Sequence, residues 1–171
     1  MTYRLILLSP EKEDFECVLD IDANATLEDL HFAILKLLDY PQDLFTSFMH
    51  SDACFNVQDE ITLEEARESQ ITVATAFENE ERDFLYVFDT LLERCFYVKV
   101  VEKNQSSIDG YQLVRKKGEA PKPQLSNEEI ENFLLEENTP FEMNEDSFLL
   151  DDDFDEEMEY PSFEEEDGFD Y

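Results

Sequence analysis

Nine residues near the C-terminus carry the densest chemistry in this 171-residue chain. Asp151–Glu159 (DDDFDEEME) holds seven carboxylates. Extended at about 3.3 Å per residue, it presents one negative charge every ~4 Å, close to the ~3.4 Å between phosphates along one DNA strand. Such a segment can occupy a basic groove shaped for nucleic acid. Apolar residues are set among the acids: Phe141, Phe148, Leu149, Leu150, Phe154, Tyr160, Phe163, Phe169 and Tyr171. A tail that only solvates needs none of them. The residues expected to touch a partner here are Phe148, Asp151, Asp152, Asp153, Phe154, Asp155, Glu156, Glu157 and Phe163. The competing reading is a solubilising tail with no partner.

Other reactive residue types form no comparable pattern. His31 and His50 lack local metal-ligand spacing, so each reads as a structural or surface histidine. No nucleophile elbow or other triad signature is present. With 45 acidic residues a pair of carboxylates carries no information, and three glycines exclude a Gly-rich phosphate loop. The run Asp151-Asp152-Asp153-Phe154-Asp155 lacks the glycine of an EF-hand loop, so only weak cation association is expected there. Cys17, Cys54 and Cys95 are an odd, widely spaced set, read as free thiols in a reducing cytoplasm. Arg115, Lys116 and Lys117 are the one basic cluster, read as charge balance for the tail. The expectation is therefore no catalytic residue, no cofactor and no metal site.

Charge decides which partners are compatible. The formal net charge is -33, which disfavours direct binding to nucleic acid or an anionic membrane and favours basic protein surfaces. It is unevenly spread. From Pro123 onward there are 20 acidic residues and no Lys or Arg. No stretch approaches the ~20 apolar residues of a membrane span, and the N-terminus lacks the pattern of a secretory signal. A cytoplasmic location is expected.

The elements that must carry these residues are organised around Thr26–Asp39 (TLEDLHFAILKLLD). Leu27, Leu30, Ile34, Leu37 and Leu38 recur at helical spacing, and Phe32 and Leu35 widen the stripe. Thr26 can cap the first turn, and Pro41 stops continuation. Tyr3–Leu8 and Phe15–Ile21 read as a hairpin ahead of it. Phe45–His50 and Cys54–Val57 read as short strands, Ile61–Glu65 as a capped helix start, and Ile71–Phe77 as a strand or extended loop. Phe84–Asp89 and Cys95–Glu102 are the strongest strand signals, with Tyr111–Val114 a last strand. The 42% hydrophobic share is enough to fill a core.

Past the body, Lys116–Pro123 (KKGEAPKP) has linker composition, and residues 119–125 are read as the linker. Residues 126–137 form a short docking helix with Ser126 and Glu129 at capping-box spacing, offering Ile130, Phe133 and Leu134 to the body or a partner. Residues 138–171 are the acidic, aromatic-containing tail, expected to be largely disordered.

Thr26, Leu27, Leu30 and His31 match a "T-L-x-x-L-H" helix, and Tyr86, Phe88 and Asp89 match part of a "Y-x-Y-D-F-G-D-x-W" hairpin. In both respects the body, read as a domain over residues 1–118, resembles from about Tyr3 to Val114 the plasmid ORF-three-like family, also described as passenger proteins of an insertion element. Where that family has Gly-Asp and Trp, this chain has Thr90-Leu91-Leu92-Glu93-Arg94. The resemblance implies an α+β fold with a mixed or antiparallel sheet packed on a central amphipathic helix; it implies no activity. The expected function is a non-enzymatic acidic interaction or regulatory protein. Its C-terminal arm engages a basic surface of a nucleic-acid-handling machine, such as RNA polymerase or a nucleic-acid-binding protein, as a nucleic-acid mimic. The alternative is a small enzyme or ligand-binding domain with a pocket between helix and sheet and a passive solubilising tail.

Overall fold

The computed structural model describes residues 1–51, 57–78 and 83–137. The chain divides into two units, Met1–Ile130 and Glu131–Tyr171. The first is α+β. Seven strands run β1 Thr2–Leu8, β2 Glu16–Asp22, β3 Ser47–Ser51, β4 Val57–Thr62, β5 Asp83–Asp89, β6 Arg94–Asn104 and β7 Tyr111–Lys117. They form one sheet in the order β4-β3-β5-β6-β1-β2-β7. Every pairing among the described residues is antiparallel, so of the two sheet types expected, mixed or antiparallel, the antiparallel one is present.

Alternation along the strands sorts side chains onto two faces. Tyr3, Leu5 and Leu7 of β1 stand opposite Ile21, Leu19 and Cys17 of β2. Leu7 meets Val98 of β6, and Phe84 and Tyr86 of β5 meet Val98 and Phe96. All of these are buried in one apolar cluster. It also holds Leu27, Leu30, Ala33, Ile34 and Leu35 of helix α1, Leu27–Leu38. Each large side chain removed from water in this way stabilises the fold by roughly 1.5–3 kcal/mol.

α1 begins at a capping box. The Thr26 hydroxyl accepts from the Asp29 N–H at 3.1 Å, and the Asp29 carboxylate accepts from the Thr26 N–H at 2.8 Å, satisfying two otherwise orphaned donors. Asp39 ends the helix in the left-handed region at φ 58°, ahead of Pro41. α2, Leu63–Glu68, starts on Thr62, whose hydroxyl accepts from the Glu65 N–H at 3.2 Å.

Several local expectations need correction. The segment expected to be extended at Ile71–Phe77 contains a short helix, α3 Val73–Ala76. Its β-branched composition is outweighed by the Thr72 hydroxyl, which accepts from the Thr75 N–H at 3.2 Å, and by burial of Val73 and Ala76 one turn apart. β3 begins at Ser47, leaving Phe45 85% exposed ahead of it. Its partner β4 starts where the Cys54–Val57 strand was expected to end; Cys54, Phe55 and Asn56 lie outside the described residues. β7 extends three residues past Val114, because Arg115, Lys116 and Lys117 pair with Val18, Cys17 and Glu16. Helix α4, Asn127–Glu137, follows. Among the described residues no helix is long and apolar enough to cross a membrane.

Candidate functional site

His31 sits on the core side of α1, 1% exposed. Its Nδ1 lies 2.9 Å from the Tyr86 hydroxyl and 3.1 Å from Thr46 Oγ1. Burial pushes the imidazole pKa down to about 4, with Glu28 partly opposing the shift, so the ring is neutral at pH 7. Tyr86, fully buried, is pushed above its ordinary value by the same desolvation. This triangle joins helix to sheet through satisfied hydrogen bonds. His50 is engaged separately: its Nε2 lies 3.1 Å from the Ala76 carbonyl and donates to it. Among the described residues no group of three or more His, Cys, Asp or Glu is placed to hold a metal ion. Burial raises Cys17 and Cys95 to about 11, which leaves little thiolate at neutral pH.

A groove of about 530 Å³ opens between α1 and the start of β7. Ile21, buried, lies at its base; Phe32 of α1 and Tyr111 of β7 line it, with Ile108 from the β6–β7 loop. Asp22, Asp29 and Asp109 are its acidic lining residues, and Gly110 lines it as well. The wall is held by the backbone, since the Asp22 N–H donates to the Gly110 carbonyl at 3.0 Å. Asp22 also accepts from the Asn24 N–H, and Asp29 serves the α1 cap. Two carboxylates are thus oriented by bonds already made. The site is an apolar trough with a negative rim, suited chemically to a cation attached to an apolar stem.

The segment with linker composition runs as a strap pinned to the body. Gly118 adopts φ +71°, and a Cβ there would stand 2.5 Å from the Asp14 carbonyl oxygen. The Tyr40 hydroxyl donates to the Pro121 carbonyl, and Pro121 is buried. Arg94, its side chain 1% exposed, makes a bidentate pair with Glu11 at 2.9 Å for both bonds and donates to the Lys122 carbonyl at 2.8 Å. Its guanidinium also stacks 4.9 Å from the Phe88 ring centre. Of the basic cluster, Arg115 pairs with Glu16, and Lys116 Nζ donates to the Leu37 carbonyl at 3.1 Å.

α4 starts at the expected capping box. The Ser126 N–H donates to Glu129 Oε2 at 2.9 Å and the Glu129 N–H to Ser126 Oγ at 3.3 Å. Lys122, with those Ser126 bonds, holds the Glu129 carboxyl down at about 2. Ile130 and Phe133 are half-buried, and Leu134 is 43% exposed.

No family model matches this chain, and no curated protein matches it. Its fold is similar to the crystal structure of the protein of unknown function MM3350 from Methanosarcina mazei Go1. The TM-score is 0.51 at 19% sequence identity, over 67% of this chain and 68% of that one. At that identity the likeness carries the fold alone.

The sequence-predicted contact residues divide in two. Ile130, Phe133 and Leu134 share helix α4. Phe148, Asp151, Asp152, Asp153, Phe154, Asp155, Glu156, Glu157 and Phe163 lie outside the described residues. The groove was not singled out from the sequence, because its residues come from two stretches, 21–32 and 108–111, far apart in the chain. One signal was available: Phe32 falls off the narrow seam made by Leu27, Leu30 and Ile34, which leaves a large aromatic 40% exposed on a core helix.

Proposed function

We propose that this chain is a non-enzymatic interaction protein, in which an α+β body carries an acidic arm that engages a basic surface. The partner is a nucleic-acid-handling protein such as RNA polymerase or a nucleic-acid-binding protein, and the arm acts there as a nucleic-acid mimic. The body is read as an ORF-three-like domain organised on α1 as its central helix, and the setting as cytoplasmic. The observation that carries this reading is the charge step: 20 acidic residues and no Lys or Arg from Pro123 to the last residue, with aromatics interspersed.

A second reading, a ligand-binding domain with a passive tail, is favoured by the groove between α1 and the sheet edge. One experiment separates the two. The tagged full chain and a truncation after Lys122 are each used to capture proteins from native-host extract, and DNA is added as competitor. The arm reading expects basic nucleic-acid-binding proteins with the full chain only, released by DNA. Identical captures by both chains would overturn it.

A further inference from the structure

We infer that the groove between α1 and the outer edge of β7 docks an extended basic segment of a partner protein, which joins the sheet as an eighth strand. β7 is the last strand in the sheet order, and among the described residues its partner in the sheet is β2 alone. The peptide groups of an open edge are a template for another strand. Over the first half of this edge the sheet face that carries α1 is apolar, before Lys116 reaches the Leu37 carbonyl. Tyr111 and Leu113 stand opposite Ile21 and Leu19, both core residues, yet Leu113 keeps 41% of its surface exposed and Phe32 on α1 keeps 40%. A strand added here places every second side chain over the trough.

Charge selects the occupant. Asp22, Asp29 and Asp109 line the groove without any Lys or Arg among the lining residues, in a chain whose net charge is -33. A Lys or Arg stem can lie against Phe32 and Tyr111 with its cationic head among the carboxylates. Polarity also orients the segment, because Arg115, Lys116 and Lys117 occupy the far end of β7. In an antiparallel addition, the pattern of every other pairing in this sheet, the basic residues sit toward the C-terminal end of the incoming segment. A second copy of the chain is disfavoured as the occupant by the net charge of -33 that each copy carries. The inference uses only residues of the Met1–Ile130 unit and stands apart from the arm.

The chain has no Trp, so Phe32→Trp in the full chain creates a reporter at the groove alone. The probe is an eight-residue peptide of alternating Thr and Val, with Lys replacing the two Thr nearest its C-terminus. Titration is expected to shift the Trp emission saturably. Asp109→Asn in the reporter chain, or Glu replacing Lys in the peptide, should weaken binding about tenfold, and N-methylation of alternate peptide bonds should abolish it. In the unsubstituted chain the same peptide should slow hydrogen exchange of the β7 amides about tenfold, which keeps the test valid whatever Phe32→Trp does to folding. Peptide that leaves both the emission and the β7 exchange unchanged overturns the inference, including peptide captured by the acidic arm. So does equal binding of the N-methylated peptide, or a peptide-free dimer in which β7 is already protected.

Discussion

His31 Nδ1 lies 2.9 Å from the Tyr86 hydroxyl across 55 positions of sequence, so one hydrogen bond fastens α1 to β5, an interior strand of the sheet. Because the folded state holds His31 at about 4 against 6.5 for a free imidazole, the unfolded chain takes up the proton first as pH falls. Stability should be fully present above about pH 6.5 and should decline between pH 6.5 and 4 by up to about 3 kcal/mol from this group. Denaturant unfolding across that range checks it. His31→Gln should lower stability at pH 7 and flatten that part of the slope.

Arg94→Met removes the bidentate partner of Glu11 and the donor to the Lys122 carbonyl. Arg94 is buried but Glu11 is exposed, so the carboxylate left behind can be hydrated, and the expected cost is about 1–3 kcal/mol from the lost charge-assisted bonds. It should also loosen the strap. Cleavage after Glu119 by a glutamate-specific protease, slow in the parent, should become fast while the rest of the body stays intact.

Gly118→Ala places a methyl group 2.5 Å from the Asp14 carbonyl oxygen at φ +71°. The expected loss is at least about 2 kcal/mol, since the left-handed backbone alone costs roughly 1–2 kcal/mol for a residue with a Cβ. Gly110→Ala shares the positive φ but meets open space, so it should cost less. Thermal melts of the two variants side by side test the difference.

For the arm, two variant chains separate charge from apolar anchoring. Neutralising Asp151–Asp153 and Asp155–Glu157 to Asn and Gln should slow association with a basic partner and flatten its salt dependence, because long-range attraction is screened within about 8 Å at physiological ionic strength. Changing Phe148, Phe154 and Phe163 to Ser should instead speed dissociation, as anchors dominate an interface. Surface-bound kinetics at several salt concentrations reads both. If the Phe variant behaves as the parent, the arm is a plain polyanion.

Phe133→Ala tests the docking helix. Ile130, Phe133 and Leu134 are its apolar residues named for contact, and a helix of this length is marginal on its own. Helicity by circular dichroism and partner affinity should both fall. If neither changes, α4 is a spacer.

Much of the sheet was legible in the residues. β1, β5 and β6 are dense in apolar, aromatic and β-branched side chains, and α1 carries an unbroken apolar stripe behind Thr26, so periodicity and local chemistry agree there. β4 (VQDEIT) was hidden because an edge strand exposed along most of its length needs little apolar alternation. α3 was hidden because four residues are too few for a helical period, and its cap at Thr72 is matched by a bridge to Thr26 that only the tertiary fold supplies. The last residues of β7 read as linker because Arg115-Lys116-Lys117 look solvated, whereas Arg115 is paired with Glu16 and Lys116 with the end of α1. The strap depends on Arg94, a lone cation after an acidic turn, and nothing local marks it as buried. The groove had no linear signature, since Phe32 and Tyr111 come to line one pocket only once the sheet is assembled.

The strand order also sets a timetable for synthesis. β1 pairs locally with β2, but its other neighbour is β6, where Thr2 lies opposite Asn104. A nascent chain can therefore form the first hairpin early, yet must keep one side of β1 unsatisfied until the ribosome has delivered residues beyond 104. β3 likewise waits for β5. Contacts of such long sequence separation slow folding, and an apolar strand left open meanwhile is an opportunity for aggregation. Pausing or truncating translation before β6 should leave a hairpin dependent on chaperones, and completion of β6 is the step at which the body becomes self-sufficient.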